Sequence, residues 1–354
     1  MTHLVAVAPV FPPHRYAQRE ITSAFGAIVV PDGESRVLLE RLHESVQVQT
    51  RHLALPLEDY KRLDGFGAAN DVFIETALEL GQQALWAALD AAGLAPQDID
   101  LLLSTSVTGI AAPSVDALMA PRIGLRPDVK RLPIFGLGCV AGAAGVARLH
   151  DYLTGHPDDV AALLSVELCS LTVQRDDSSI ANLVASGLFG DGAAAVVAVG
   201  DRRAAQLRRQ GPTVIATRSR LYPDSERVMG WEIGGSGFRI VLSADVPDMV
   251  RTYLGDDVRR MLLDHDLEIA DIAAWVAHPG GPKVLEAMQE VLGLPDGALD
   301  VTWRSLASIG NLSSASVLHV LAETMATRAP AAGAPGMLLA MGPGFCSELV
   351  LLRW

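Results

Sequence analysis

Three residues of this sequence have side chains and surroundings suited to acyl transfer. Cys139 lies in FGLGCVAGAAGVARL, His278 in WVAHPGGPKVL and Asn311 in SIGNLSSASVL. A cysteine thiolate can attack a thioester carbonyl and hold the acyl group covalently. An imidazole N–H and an amide N–H can stabilise the negative charge on an enolate oxygen. Together these residues predict a condensation in which Cys139 holds an acyl group, while His278 and Asn311 promote decarboxylation of a malonyl thioester.

Each of these residues also has an ordinary structural explanation. A free cysteine is most often a small buried core residue, a lone histidine is most often packed or on the surface, and an asparagine before a helix is usually an N-cap. Cys139 is expected at the N-terminus of a helix, where free backbone N–H groups and the helix dipole favour the thiolate. A neighbouring imidazolium would lower the pKa of this thiol further. The catalytic interpretation therefore depends on the three residues meeting in one pocket.

Helical and strand-like segments alternate along the chain, which is typical of the α/β class. Residues 73–92 have the spacing of an amphipathic helix, and Gly93 is its expected C-cap. Residues 98–106 form an apolar run of strand length. The pattern thus predicts a helix followed closely by a buried strand.

This arrangement recurs in the second part of the chain. Asp98-Ile99 and Asp271-Ile272 each open an apolar strand and lie 173 residues apart, while Gly138-Cys139 and Gly310-Asn311 each precede a helix and lie 172 residues apart. The shared offset predicts two similar halves, residues 1–200 and 213–354, joined by an exposed connection over residues 201–212. This organisation is similar to the thiolase-like αβαβα five-layer sandwich, in which the central helices of two halves bring their N-termini together. It predicts that Cys139, His278 and Asn311 converge.

Composition limits the remaining possibilities. The formal net charge of −13 argues against a nucleic-acid partner, and no apolar run reaches the roughly 18 residues that a membrane span needs. The first segment carries proline and charge where a signal peptide needs an unbroken apolar stretch, so a cytoplasmic protein is expected. Cys139, Cys169 and Cys346 are too few and too far apart for a disulfide framework or a zinc site, so no metal is expected.

The segments GCVAG, AHPGGP and GNLSSASV resemble the Cys, His and Asn motifs of the chalcone synthase-like type III polyketide synthases. The resemblance covers nearly the whole chain, because GLRPDVKR, LFGDGAAA and the terminal GPGF match in order and spacing. It implies the αβαβα fold, a homodimer, and acyl-CoA and malonyl-CoA as substrates with no other cofactor. It also implies a product made by repeated malonyl addition and cyclisation.

The resemblance gives each site residue an expected role. Cys139 becomes the nucleophile, and His278 and Asn311 drive decarboxylation. Phe189 matches the gatekeeper phenylalanine between the coenzyme A tunnel and the reaction cavity, and Cys169 matches a cavity-lining position. Further substrate contacts are expected from basic and glycine-rich positions: Arg51 at a coenzyme A phosphate, and Gly281, Gly342, Pro343 and Gly344 at the cavity wall.

Two departures from the plant enzymes bear on the substrate. Ala340-Met341 precede Gly342-Pro343-Gly344 where the plant enzymes read GFGPG, and Ala111-Ala112-Pro113 stand near the position of a methionine contributed across the plant dimer. Smaller residues there leave room for a longer chain. The sequence therefore favours a bacterial enzyme that extends a fatty acyl-CoA starter to an alkylpyrone or alkylresorcinol.

Other functions remain open at this point. The first alternative is a synthase that uses malonyl-CoA alone, in the manner of tetrahydroxynaphthalene synthases. Another is a ketoacyl synthase III of fatty-acid initiation, although those enzymes usually show His-Gln-Ala-Asn where this chain has His278-Pro279-Gly280-Gly281. Outside the condensing enzymes stand a Cys–His hydrolase and a non-catalytic acyl-binding protein. Release of carbon dioxide from malonyl-CoA would exclude a simple hydrolase, and a trapped Cys139-bound acyl group would favour condensation over mere binding.

Overall fold

The computed structural model describes residues 1–30, 35–175, 177–207 and 211–354. Strands and helices alternate along these residues, as the apolar pattern predicts. The strands are β1 (Thr2–Val10), β2 (His14–Ala17), β3 (Thr50–Leu53), β4 (Ile99–Thr105), β5 (Lys130–Ile134), β6 (Val160–Leu168), β7 (Asp191–Gly200), β8 (Thr213–Leu221), β9 (Met229–Gly234), β10 (Gly237–Leu242), β11 (Ala274–Ala277), β12 (Pro335–Gly342) and β13 (Cys346–Arg353). The helices are α1 (Gln18–Val29), α2 (Arg36–Ser45), α3 (Gly65–Ala92), α4 (Val115–Ile123), α5 (Ala141–Gly155), α6 (Ile180–Leu188), α7 (Asp201–Ala204), α8 (Val246–Leu263), α9 (Pro282–Leu292), α10 (Asp300–Ile309) and α11 (Ser316–Thr327).

Nine strands form one mixed sheet in the order β11-β12-β13-β8-β1-β7-β6-β4-β5. Its two halves join where β1 meets β8, through the described pairs Thr2 with Val214 and His3 with Thr213. Strands from the first half of the chain lie on one side of this junction and strands from the second half on the other. The narrow junction separates two units, each with its own part of the sheet.

Much of the sheet is buried on both faces, although the edge strand β5 is largely exposed, and three apolar clusters account for the burial. On β7, Val197 belongs to a cluster with α3, whereas its neighbour Val196 belongs to a cluster with α5 and α11. On β12, Leu338 joins the same central cluster, whereas Leu339 belongs to a third cluster with α8 and α9. Because side chains alternate between the faces of a strand, these clusters define helix layers outside and between the two half-sheets. The predicted αβαβα five-layer sandwich is confirmed.

The first predicted helix and strand are present with shifted boundaries. The helix predicted over residues 73–92 begins eight residues earlier, at Gly65, and ends at Ala92. Gly93 follows it with φ 69°, the left-handed conformation of a glycine C-cap. The strand predicted over residues 98–106 spans Ile99–Thr105. The early helix start lies before the most regular apolar spacing, which is why the pattern placed it late.

The predicted repeat is correct at the strands and wrong in register at the helices. One-turn 3₁₀ helices, Pro96–Asp98 and Ile269–Asp271, precede β4 and β11 at the offset of 173 residues. The turns that open α5 and α11 are Gly138–Val140 and Ser313–Ala315, so Gly138 corresponds to Ser313 rather than to Gly310. Asn311 therefore precedes its turn and is not the counterpart of Cys139.

The connection predicted over residues 201–212 contains the short helix α7 and several exposed residues. Residues 208–210 of that connection lie outside the described residues. Among the described helices, none combines the length and the apolarity that crossing a membrane would require.

Candidate active site

Two small cavities adjoin at Cys139. The first, of about 30 Å³, is lined by Cys139, His278 and Asn311 together with apolar residues. The second, of about 40 Å³, is lined by Cys139, Cys169 and Phe189 among others. Cys139 and Phe189 border both cavities. The fold thus brings the three predicted catalytic residues, drawn from both halves of the chain, to one point.

Cys139 lies in the 3₁₀ turn Gly138–Val140, directly before α5. Its sulfur lies 3.7 Å from the hydroxyl oxygen of Ser313, to which the thiol donates. Burial raises the pKa of the Cys139 thiol to about 12, and hydrogen bonds with Ser313 and Asn311 only partly oppose this effect. Burial thus acts against the expected lowering of the thiol pKa, because desolvation of the thiolate outweighs the hydrogen bonds that stabilise it.

His278 follows the last residue of β11, and its backbone N–H donates to the carbonyl oxygen of Leu339 at 2.9 Å. The imidazole is buried, and neither ring nitrogen has a hydrogen-bond partner among the described residues. Burial lowers the pKa of His278 to about 3. The ring is therefore neutral near pH 7 and carries one N–H that can donate to a substrate oxygen.

Asn311 is oriented by the turn that follows it. Its side-chain oxygen accepts a hydrogen bond from the backbone N–H of Ser313 at 2.8 Å. Because the oxygen is used in this way, the amide NH₂ is the group left to face Cys139, and its hydrogen bond lowers the pKa of the thiol. The backbone of Asn311 is also fixed, since its N–H donates to Leu188 at 3.0 Å and its carbonyl accepts from Gly190 at 2.9 Å.

Arg51 does not occupy the predicted position beside a coenzyme A phosphate. Its side chain is fully buried, and its guanidinium donates to the carbonyl oxygens of Phe189 and Ser186 and to the side chain of Gln18. A guanidinium shielded from solvent and occupied by these acceptors is not available to a soluble phosphate. The predicted phosphate contact is therefore wrong, and Arg51 instead ties the Phe189 segment to the N-terminal half.

The remaining predicted positions lie close to the cavities. Gly280 lines the first cavity, whereas Gly281 is buried beside it, and a Cβ there would lie 3.7 Å from Leu188. Pro343 lines the second cavity. Gly342 lies against the cysteine turn, and a Cβ there would lie only 2.7 Å from the backbone nitrogen of Val140. Gly344 has φ 72°, which a glycine adopts without strain.

Sequence reasoning missed two contributors to the site. The hairpin β9–β10 supplies Met229, Trp231 and Leu242 to the cavity walls. The segment MGWEIGGSGFRIVL has glycines between two apolar runs, a pattern typical of a hairpin. Ser313, which contacts the sulfur, has φ 48°, a conformation unusual for a residue with a Cβ. No residue pattern pointed to that conformation.

The arrangement fits formation and capture of an enolate. A thiol that can form a thioester lies beside a neutral imidazole and an amide NH₂, and both can donate to a developing oxyanion in a site shielded from water. Among the described residues, no group of three or more His, Cys, Asp or Glu side chains is placed to hold a metal ion.

Comparison with known families gives one consistent result. The chain matches the family model for chalcone and stilbene synthases, N-terminal domain, over residues 1–202. It matches the model for the C-terminal domain of the same family over residues 213–354. The two models together cover almost the whole chain.

Individual relatives are also similar along most of their length. The 1,3,6,8-tetrahydroxynaphthalene synthase of Streptomyces peucetius subsp. caesius is 60% identical over 100% of this chain and 93% of its own length. An alpha-pyrone synthesis polyketide synthase-like protein of Mycobacterium tuberculosis is 31% identical over 90% of this chain and 83% of its own length. The crystal structure of 1,3,6,8-tetrahydroxynaphthalene synthase from Streptomyces coelicolor A3(2) matches with a TM-score of 0.93 and 30% identity, covering 99% of each chain.

Proposed function

The chain belongs to the chalcone and stilbene synthase family and is a type III polyketide synthase, and from this premise we propose that it builds its product from malonyl-CoA alone, as a tetrahydroxynaphthalene-type synthase. The observation that carries this proposal is the full-length similarity to the Streptomyces peucetius enzyme. It replaces the expectation of a fatty acyl-CoA starter, which the comparisons support less well.

The shape of the site is consistent with a small starter. The two cavities at Cys139 are small, with volumes of about 30 and 40 Å³. Trp231 and Met229 line the second of these cavities together with Cys139. The small residues Ala111 and Ala112 do not line either of these cavities. These two alanines therefore provide no additional room near the sulfur for the long acyl chain that the sequence suggested.

In the proposed first step, Cys139 attacks the thioester carbonyl of a malonyl-CoA starter. The carbon–sulfur bond to coenzyme A breaks, coenzyme A leaves as its thiol, and the acyl group remains on Cys139. Because burial keeps this thiol protonated, its proton has to leave as the bond forms. The departing coenzyme A sulfur accepts this proton, which balances the step.

In the proposed second step, another malonyl-CoA loses carbon dioxide. The electron pair of the breaking carbon–carbon bond enters the thioester as an enolate, and its oxygen accepts hydrogen bonds from the His278 N–H and the Asn311 NH₂. The enolate carbon then attacks the acyl carbonyl on Cys139 and releases the cysteine sulfur. The extended chain is carried on coenzyme A, and its return to Cys139 allows the next addition.

A homodimer is part of the same proposal. β5 is the edge strand of the nine-stranded sheet, and its side chains are largely exposed. Leu132 is 44% exposed, and the neighbouring Phe135 and Ile110 are 49% and 47% exposed. Large apolar side chains grouped at a sheet edge are typical of an interface. Sedimentation velocity with the wild type and with Leu132→Glu tests this part, because a wild-type monomer would contradict it.

The function is tested by incubating the purified protein with malonyl-CoA alone and with malonyl-CoA plus acyl-CoA starters of increasing length. We expect an aromatic product from malonyl-CoA alone, with its mass unchanged when other starters are added. Cys139→Ala should abolish this product, whereas the matched variant Cys346→Ala, in a cysteine outside both cavities, should retain it. Products that form only with an added acyl-CoA would contradict the malonyl-only proposal and favour an acyl starter.

A further inference from the structure

A carboxylate lies fully buried behind the reactive cysteine. Glu167 is near the end of β6, and its side chain has no exposed surface. One carboxylate oxygen accepts hydrogen bonds from the backbone N–H of Val107 at 3.1 Å and from the hydroxyls of Ser106 at 3.2 Å and Thr108 at 2.9 Å. The other oxygen accepts from the hydroxyl of Ser314. All these groups donate, which satisfies an ionised carboxylate that would otherwise be costly to bury.

These hydrogen bonds join the two halves of the molecule. Ser106, Val107 and Thr108 follow β4 in the N-terminal half, whereas Ser314 belongs to the turn that opens α11 in the C-terminal half. Ser314 is fully buried, and its hydroxyl also lies 2.7 Å from the hydroxyl of Ser165 on β6. A serine hydroxyl has one hydrogen, and that of Ser314 is donated to Glu167. The hydroxyl of Ser165 is therefore the donor in its hydrogen bond with Ser314. Strand β6 therefore holds this turn through two of its side chains.

The turn held in this way presents the groups that contact the cysteine. Ser313 precedes Ser314, has φ 48°, and places its hydroxyl 3.7 Å from the sulfur of Cys139. A left-handed backbone is unfavourable for a residue with a Cβ and persists where surrounding contacts impose it. The contacts that hold this turn include the bond from Ser314 to Glu167, the bond between Ser165 and Ser314, and the bond from the Ser313 N–H to Asn311.

We propose that Glu167 is a positioning residue, which holds the Ser313–Ser314 turn so that the Ser313 hydroxyl and the Asn311 amide face the sulfur of Cys139. The inference rests on the proposed function. Glu167 acts through Ser314 and has no hydrogen bond to Cys139 among those of the described residues. Its negative charge is nonetheless close enough to raise the pKa of the thiol. Geometry and charge are thus two separable contributions of one side chain.

The two contributions predict different results for two substitutions. In Glu167→Gln, the amide oxygen can accept from Val107 and Thr108, and the Ser314 hydroxyl can turn to accept from the amide NH₂. The turn is kept and the charge is lost, so most of kcat should remain. In Glu167→Ala the turn loses its anchor, and kcat should fall by about 10- to 100-fold with KM little changed, because small displacements of reacting groups are that costly.

Glu348 provides a matched control. It is a buried glutamate on β13 that accepts from the Ser219 hydroxyl at 2.8 Å and from Arg148 at 3.2 Å, and it lines neither cavity. Glu348→Ala should lower the melting temperature, as Glu167→Ala should, but it should keep the wild-type kcat. Equal losses of kcat in the two variants, or a folded Glu167→Ala variant with wild-type kcat, would overturn the positioning role.

A second readout needs no substrate and uses the conservative variant. The rate of Cys139 alkylation by iodoacetamide, followed by mass spectrometry of the Cys139 peptide, reports the pKa of the thiol. Glu167→Gln should shift the alkylation profile to lower pH, because a nearby negative charge is removed, whereas Glu348→Gln should leave it unchanged. An unchanged alkylation profile in Glu167→Gln would contradict the inferred placement of the Glu167 carboxylate near Cys139. If the wild type forms no product from malonyl-CoA, the proposed function fails, and this profile still decides where Glu167 acts.

Discussion

The guanidinium of Arg51 donates a hydrogen bond to the carbonyl oxygen of Phe189, the residue that borders both cavities at Cys139. A second bond runs to the carbonyl oxygen of Ser186 at 2.9 Å, and a third to the Gln18 side chain at 3.1 Å. A planar fork of donors can serve these three acceptors together. The arginine thus fixes the wall of the site from behind.

Arg51→Lys should therefore destabilise the protein without changing recognition of coenzyme A. A lysine cannot reproduce the fork, and leaving buried carbonyl groups unpaired should lower the free energy of unfolding by about 2–4 kcal/mol. Urea unfolding at pH 7 measures this loss. The salt dependence of KM for malonyl-CoA should remain that of the wild type. A large rise in KM with unchanged stability would instead support a contact between Arg51 and a coenzyme A phosphate, against which its buried position argues.

His278→Ala should slow decarboxylation of malonyl-CoA by about 100- to 1,000-fold, which is typical for loss of one donor to an oxyanion. Release of labelled carbon dioxide measures this step apart from chain extension. His319→Gln is the matched control, because His319 is also a buried histidine but bonds to the carbonyl oxygen of Ala193 and lines neither cavity. Decarboxylation at the wild-type rate in His278→Ala would remove His278 from the mechanism.

Stability should fall as the pH is lowered below about 6.5. Burial lowers the pKa of His43 and His278 to about 3 and that of His319 to about 4. The unfolded chain therefore binds protons first, and each histidine should remove about 1.4 kcal/mol per pH unit between its unfolded and folded pKa values. Urea unfolding at pH 7, 6 and 5 measures this slope. His319→Gln should make the slope shallower, and an unchanged slope would show that His319 does not titrate in this range.

Alkylation of Cys139 in the wild type should continue to accelerate as the pH rises through 9 and 10. Burial raises the pKa of this thiol to about 12, so the reactive thiolate fraction keeps growing across that range. A thiolate paired with an imidazolium would instead reach a constant rate below neutral pH. Iodoacetamide kinetics, resolved by peptide mass, distinguish the two, and a plateau near pH 6 would contradict the neutral Cys139 and His278 described above.

Gly342→Ala should impair catalysis more than stability. The added Cβ would lie 2.7 Å from the backbone nitrogen of Val140 and 2.8 Å from the backbone oxygen of Leu137, so the cysteine turn has to move. A displacement of that turn should lower kcat by about 10- to 100-fold. Gly155→Ala, where a Cβ meets nothing within 4 Å, is the control. Equal kcat values in the two variants would show that the turn can absorb the shift.

Sequence reasoning predicted the fold class and the meeting of Cys139, His278 and Asn311, because both follow from apolar periodicity and local motifs. The offset of 173 residues between the two strand openings located one pair of equivalent elements. The offset between helix openings was wrong, since Gly310 mimics the glycine before Cys139 whereas the structure aligns Gly138 with Ser313. Gly138 and Gly310 are thus the same residue type without being structurally equivalent.

Burial accounts for what could not be predicted. Arg51 was expected at the surface because arginine is rarely buried, and only the arrangement of three distant acceptors shows why it is enclosed. The pKa of Cys139 depends on how much water reaches the sulfur, which the helix-terminus argument did not include. Glu167 gave a local signal, a carboxylate in the apolar run AALLSVEL, but its partner Ser314 is 147 residues away.

The backbone of Asn311 is bonded on both sides to the segment that carries Phe189, to Leu188 through its N–H and to Gly190 through its carbonyl group. Phe189, which borders both cavities, and Asn311, the proposed donor to the enolate oxygen, are thus held together by the backbone. Engineering of this enzyme at Phe189 to widen its substrate range should consequently alter turnover as well, so the two properties are not independent design variables.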